Sequence, residues 1–348
     1  MPTKDELRLF QAYPLDMKIQ KTRLRIREWV DYYGVGGVFV SFSGGKDSTV
    51  LLHITRQMYP EIEAVFANTG LEYPEIQSFV KGFDNVTILR PKMRFDEVIR
   101  KYGYPFISKE VTECVAQAKK ALQCGKYIQR LRQLDGTHVD KNGNKSLFNY
   151  EKYKPLLHVD FNVDNKCCNV MKKTPIRAYC KQTGKVQMTA QMASESKLRM
   201  QKWLQNGCNG FNMKHPTSNP MSFWTEQDIL LYIKKYKLPT ASVYGDIVVQ
   251  NSQDGFTYKE TLCECGDKLC TTGCDRTGCI FCGFGAHLEK GENRFQRLKR
   301  THPRQYDYCM GGGAYDTDGL WKPTKDGLGM RHCIDTLNEI YGKEFIKL

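Results

Sequence analysis

Val38-Phe39-Val40-Ser41-Phe42-Ser43-Gly44-Gly45-Lys46-Asp47-Ser48, followed by Thr49-Val50-Leu51-Leu52-His53, is the stretch on which the reading of this chain turns. An apolar, β-branched and aromatic run stops at two glycines, and a helix-forming run follows. That order predicts a buried strand, a tight turn and a helix N-terminus. The first N–H groups of a helix have no intrahelical partner and carry partial positive charge, which suits a phosphate. Glycine permits positive φ and lets a ligand approach the backbone. The common phosphate-loop motif would need a glycine at position 40, where Val40 stands, and no G-x-G-x-x-G is present. A plain strand–helix turn has little use for Gly-Gly-Lys-Asp-Ser. A phosphate-bearing ligand held by Ser43, Gly44, Gly45, Lys46, Asp47 and Ser48 is therefore expected.

Outward from this loop, residues 5–33 read as amphipathic helix and 47–58 as the helix after the loop. Ile62–Ala67 and Val86–Arg90 read as further strands, with a second turn, Asn68-Thr69-Gly70-Leu71-Glu72-Tyr73-Pro74-Glu75, after the first of them. Strands alternating with helices predict an α/β fold with right-handed crossovers and a parallel sheet. Ligands of such sheets bind at the carboxyl ends of the strands, where both turns fall. Thr225, with Asp228 three residues on, caps a helix whose apolar stripe reads as packing.

A chain of 348 residues predicts about two domains or one enlarged domain. Its apolar content of 41% and charged content of 26% are ordinary for a globular protein. No apolar run approaches the roughly 18 residues of a membrane span, so no membrane partner is expected. The start, Met1-Pro2-Thr3-Lys4-Asp5-Glu6, lacks an apolar signal core, and a cytoplasmic protein is expected. In that compartment, 14 cysteines point to metal or redox chemistry rather than disulfides. The net charge of +14 is uneven: residues 115–185 hold 15 Lys and Arg against five Asp and Glu. This excess marks a nucleic-acid surface, a pocket for a polyanionic nucleotide, or a solvated basic face.

Ser43-Gly44-Gly45-Lys46-Asp47-Ser48 resembles the pyrophosphate loop of the adenine nucleotide α-hydrolase superfamily. The 68–75 turn is similar to the Asp-Thr-Gly…Pro-Glu stretch of the phosphoadenosine-phosphosulfate (PAPS) reductase family, with Asn68 in place of the Asp. Glu195-Ser196 and Arg199 match that family's Gly-x-Arg-x-x-Glu-Ser-x-x-Arg segment, whose Gly and first Arg are missing here. Trp224-Thr225-Glu226-Gln227-Asp228-Ile229 resembles its Trp-Thr-x-x-Asp-Ile helix. The resemblance spans about 35–285 and implies a Rossmann-like nucleotide-binding domain over 1–260. A basic insertion at 111–154 interrupts it, carrying a helix to about 134 and a hairpin at 140–144. A cysteine-rich metal knuckle and tail would fill 261–348. It also implies that Thr69, Gly70, Glu195 and Arg199 join the loop at an adenine nucleotide, Arg199 as an oxyanion clamp.

Cys167-Cys168, a long gap and Cys279-Ile280-Phe281-Cys282 resemble the [4Fe–4S] ligand spacing of adenylylsulfate-type reductases in the same family. Lys172, Lys173 and Pro175 fit that pattern. Cys274 stands as an alternative ligand for Cys167 or Cys168. Cys263, Cys265 and Cys270 would hold a separate Zn²⁺ or act as mobile thiols. The family's C-terminal Glu-Cys-Gly-Leu-His segment is absent, which leaves Cys309, beside Gly311-Gly312-Gly313, and then Cys333 as candidate nucleophiles. The complete loop resembles the ATP-using branch. The leading expectation is cleavage of ATP at the α-phosphate, with Lys46 on the leaving pyrophosphate and Asp47 on Mg²⁺ or the loop. This would activate an acceptor, tRNA or DNA among the candidates, for sulfur transfer from a cysteine-desulfurase donor. The alternatives are a PAPS or adenylylsulfate reductase served by a thioredoxin-like reductant, and a nucleotide- or nucleic-acid-binding module without chemistry.

Overall fold

Val38, Phe39 and Val40 are almost wholly buried, as a strand covered on both faces must be. They form β1 (Val38–Ser41), which pairs in parallel with β2 (Glu63–Ala67) on one side and with Val186–Met188 on the other. In this computed structural model, which describes residues 2–250 and 268–348, β3 (Val86–Leu89) extends the sheet beyond β2. Thr217–Ser218 and Asn209–Gly210 extend it on the far side, the last of these antiparallel. The α/β class and the mainly parallel sheet agree with expectation. The three strands from Val186 onward were not anticipated, because two or three residues are too few to show a period of two.

The expected single helix over 5–33 is two helices, α1 (Lys4–Gln11) and α2 (Leu15–Tyr33). The break lies at Pro14, the N-cap of α2, whose ring cannot donate the backbone hydrogen bond of a helix interior. The helix after the loop is α3 (Lys46–Met58), and α4 (Pro74–Lys81) starts with proline at its first position. Leu51, Leu52 and Ile54 of α3 join Ile26, Trp29, Val38, Phe66 and Trp224 in one core. A buried ion pair crosses that core. Lys18 of α2 donates to both carboxylate oxygens of Asp228, at 2.8 and 2.7 Å. Asp228 also accepts from the amide and hydroxyl of Thr225, closing the cap of the helix Glu226–Tyr236. Beside it the Trp224 indole donates to the Thr22 hydroxyl at 2.9 Å. The Trp-Thr-x-x-Asp segment thus serves packing, as its pattern suggests.

The chain divides into two interleaved compact units. The first comprises Met1–Asn68, Glu72–Arg90 and Pro175–Thr277; the second comprises Thr69–Leu71, Pro91–Thr174 and Gly278–Leu348. The second unit is mainly helical, with Lys109–Cys124, Ile128–Asp135, Arg294–Thr301, Pro303–Met310 and Met330–Tyr341 among its helices. Where one helix to about 134 is expected, the chain turns at Gly125 and Tyr127, both left-handed. The 140–144 turn closes on a single antiparallel bridge, Val139 to Lys145, with Asp140 Oδ1 accepting from the amides of Asn142 and Asn144. Cys263 and Cys265 lie outside the described residues. No helix among the described residues is long and apolar enough to cross a membrane.

Replacing Lys18 with Met would leave Asp228 buried without its cation. An uncompensated buried charge costs about 3–5 kcal/mol. Urea denaturation should show Lys18→Met destabilised by an amount in that range, and a loss below 1 kcal/mol would remove the ion pair from the core's account.

Candidate functional site

Gly44 sets the course of the 43–48 loop. Its φ is +71°, and a Cβ there would lie 2.7 Å from Val80 Cγ2 and 2.9 Å from Ile76 Cγ2 of α4. Only glycine meets both demands. The loop is then braced by its own serines. The Ser43 amide donates to Ser48 Oγ at 3.1 Å, and the Ser48 hydroxyl donates to the Gly45 carbonyl at 3.0 Å. Thr49 Oγ1 donates to the same carbonyl. Gly45 is the N-cap of α3 and supplies no side-chain cap, so the helix begins without a carboxylate or hydroxyl of its own capping residue over its first amides.

Charged side chains from four stretches of the first unit gather around this helix start. Lys46 is 5% exposed; its ammonium lies 3.4 Å from Glu226 and 5.2 Å from the centre of the Tyr244 ring. Burial pushes the Asp47 carboxyl above the usual aspartate range, against the opposing pull of Arg276, Lys46 and Arg199. Glu195 ion-pairs with both Arg199 and Arg276. Burial and then the neighbouring Arg276 lower the Arg199 guanidinium. Ser196 caps the helix Lys197–Asn206 by accepting from the Arg199 amide, which fixes where that guanidinium starts. Tyr244 stands over the loop: its hydroxyl is 2.5 Å from Thr277 Oγ1, and burial raises it to about 12.

The loop residues, Glu195 and Arg199 thus belong to one neighbourhood. Arg276, Glu226 and Tyr244 join them and were not read from the sequence. From the sequence Glu226 reads as a first-turn helix residue and Arg276 as part of the cysteine-rich segment; neither sits in a pattern that marks a ligand. Gly44→Ala should cost about 2 kcal/mol or more in denaturant titrations, from the left-handed backbone and the clash with α4, and should weaken binding of any phosphate ligand. An alanine variant of native stability and affinity would contradict this geometry.

The second unit holds Thr69 and Gly70, where Gly70 has φ +73° and the Leu71 amide donates to Thr69 Oγ1. It also holds a thiol cluster. Cys168 is drawn toward thiolate by a hydrogen bond from Cys167, aided by Lys109 and Lys172. The same bond, with burial, keeps Cys167 protonated, and the charges of Cys282 and Cys279 act on it too. Burial raises Cys282, while Arg294 and Lys109 oppose that. The register explains the gathering. Gly283–Phe284, directly after Cys282, pairs in parallel with Phe106–Ile107, and Ser108 then caps the helix that opens with Lys109. Gly283 is obligatory there, since a Cβ would meet the Phe106 ring at 2.4 Å. Ile107 takes φ +66°, a strained conformation for a β-branched residue. Cys167-Cys168 leads into a π-helical turn, Asn169–Lys173, a feature frequent at functional sites.

Cys274, Cys309 and Cys333 fare differently. Cys274 is buried in the first unit, beside Tyr244. Cys309 is fully buried with its sulfur 3.4 Å from Met330 Sδ, and burial raises its thiol; Cys333 is likewise fully buried and raised. A thiol free to swing from the glycine-rich stretch is not what this packing holds. Among the described residues no group of three or more His, Cys, Asp or Glu is arranged around a single metal ion.

A family model, the phosphoadenosine phosphosulfate reductase domain, matches residues 37–137 and 108–283. An uncharacterized protein of Methanocaldococcus jannaschii is 27% identical over 128 residues, which cover 35% of this chain and 31% of that protein. A second uncharacterized protein of the same organism is 38% identical over 73 residues, covering 20% of this chain and 15% of its own length. The matched stretches therefore span less than a third of either relative. The crystal structure of phosphoadenylyl-sulfate reductase from Candida auris, as a phosphate complex, aligns over 70% of this chain and 91% of that one, with 11% identity and a TM-score of 0.36. With its family model matched over most of the chain, on a mainly parallel α/β sheet, this protein belongs to the phosphoadenosine phosphosulfate reductase family.

Proposed function

We propose that this chain binds ATP at the 43–48 loop and cleaves it at the α-phosphate, activating an acceptor for sulfur transfer. The adenine nucleotide follows from the family. The observation that carries the rest is the intact loop: a glycine-shaped helix start with a buried lysine, flanked by two arginines joined through Glu195. In the proposed step an acceptor oxygen attacks the α-phosphorus, the α–β anhydride bond breaks, and pyrophosphate leaves with the bonding pair. Lys46 and the first amides of α3 meet the charge that develops on the leaving group. Asp47, among cations, orients the loop or meets Mg²⁺.

Cys167, Cys168, Cys279 and Cys282 would hold a [4Fe–4S] cluster. Their donor chemistry suits one: four thiols acting on one another, with Lys109, Lys172 and Arg294 to offset negative charge. Such a cluster supplies electron-transfer or sulfur-carrying chemistry when bound. The reductase reading has the family model in its favour. It requires a nucleophilic thiol outside the cluster, and the burial of Cys309 and Cys333 weighs against it. The acceptor would be a nucleic acid, met by exposed cations of the insertion such as Lys120, Lys126 and Lys141.

Pyrophosphate release from ATP by anaerobically purified protein, with and without bulk tRNA or DNA, is the decisive assay. Release should rise with the acceptor and fall about 10²–10³-fold in Lys46→Ala. No release in any condition would sink the ATP reading. Cys168→Ser should lower the iron content of the purified protein and bleach its visible absorbance. Full iron in that variant would remove Cys168 from the ligand set.

A further inference from the structure

We propose that Arg276 is a phosphate-binding residue of the nucleotide site, held ready by Glu195, and that it links the fixed 268–277 segment to the ligand. This rests on the nucleotide reading above and names a contact that the loop and the Glu195–Arg199 segment do not supply. Glu195 is the shared partner. Its side chain is 11% exposed and ion-pairs with Arg199 and Arg276, while one of its oxygens also accepts from the Met192 amide at 2.9 Å. The carboxylate is thus pinned by backbone and cannot follow its partners far. Two guanidiniums on one fixed carboxylate repel each other, and they face Asp47 and the helix start of α3.

A dianionic phosphate group answers this arrangement. It satisfies both guanidiniums at once, and each keeps nitrogens for Glu195, because a guanidinium presents five N–H donors. Arg276 is also the outermost of the three cations, with a side chain 57% exposed against 37% for Arg199 and 5% for Lys46. It is therefore the one able to reorient when an anion arrives. Its segment is anchored on the loop side. The amides of Gly273 and Cys274 donate to the carbonyls of Tyr244 and Val243, and Thr277 meets the Tyr244 hydroxyl. A Cβ at Gly273 would lie 2.4 Å from the Val243 carbonyl, so the segment is seated tightly. Ligand contact at Arg276 is then felt by the segment that carries Cys274.

Binding of ATP to the full-length protein, measured by calorimetry at several salt concentrations, tests this without turnover. Arg276→Ala should weaken ATP about 10- to 100-fold and flatten the salt dependence of its affinity, since one charge-assisted contact is gone. Arg276→Lys should recover part of both. The exposed side chain makes a folding defect easy to separate, by an unchanged melting temperature. ATP affinity within twofold of the native value in Arg276→Ala would overturn the proposal. So would a loss that leaves the salt dependence unchanged, which marks Arg276 as a brace for its segment. A native chain that binds ATP tightly but releases no pyrophosphate defeats the turnover reading and leaves this one standing. A native chain that binds no ATP defeats both.

Discussion

The absence of a side chain at position 44 is the constraint on which the rest of the site depends. The backbone there turns left-handed while lying against Ile76 and Val80 of α4. That contact fixes where α3 begins, and so where its first amides and the Lys46 ammonium point. A helix start is a generic source of partial positive charge. It becomes a specific one here because a neighbouring helix prevents the loop from relaxing and the serines on either side close it upon itself.

The charges around that loop nearly balance. Lys46, Arg199 and Arg276 stand among Asp47, Glu195 and Glu226. Three cations held together without counterions would strain a marginally stable fold, since like charges in a partly buried setting repel strongly. Carboxylates that orient the cations and offset their charge let the site be preformed. The upward push on Asp47 is what remains of the desolvation cost. The arrangement separates the tasks of folding and binding: carboxylates serve the first, and the cations are left in place for the second.

What could be read from residues alone follows the length of each pattern. The β1–loop–α3 unit was legible because a five-residue run with four apolar side chains, two glycines and a helical run are each long enough to carry a signal. The break between α1 and α2 at Pro14 was equally available from the chemistry of proline, yet the amphipathic pattern on both sides concealed it. The strands Val186–Met188, Thr217–Ser218 and Asn209–Gly210 have too few residues for any period. At the site, Lys46, Glu195 and Arg199 sit in motifs, whereas Arg276 and Glu226 reach the loop through long-range packing that local sequence does not encode. Burial of Cys309 was beyond reach for the same reason: a cysteine beside glycines looks mobile until Met330 is found against its sulfur.

The interleaving of the two units has a consequence for synthesis. β1, the buried strand at the middle of the sheet, receives one neighbour early, from β2, and the other only when Val186–Met188 is made. Between those events about 120 residues leave the ribosome, most of them belonging to the second unit. At about 5–20 residues per second that interval lasts on the order of 6–24 seconds. Throughout it, β1 presents an open, apolar edge of the kind that pairs with foreign strands. The nascent chain therefore needs shielding at this edge for that interval, from a chaperone or from early collapse of its own helices.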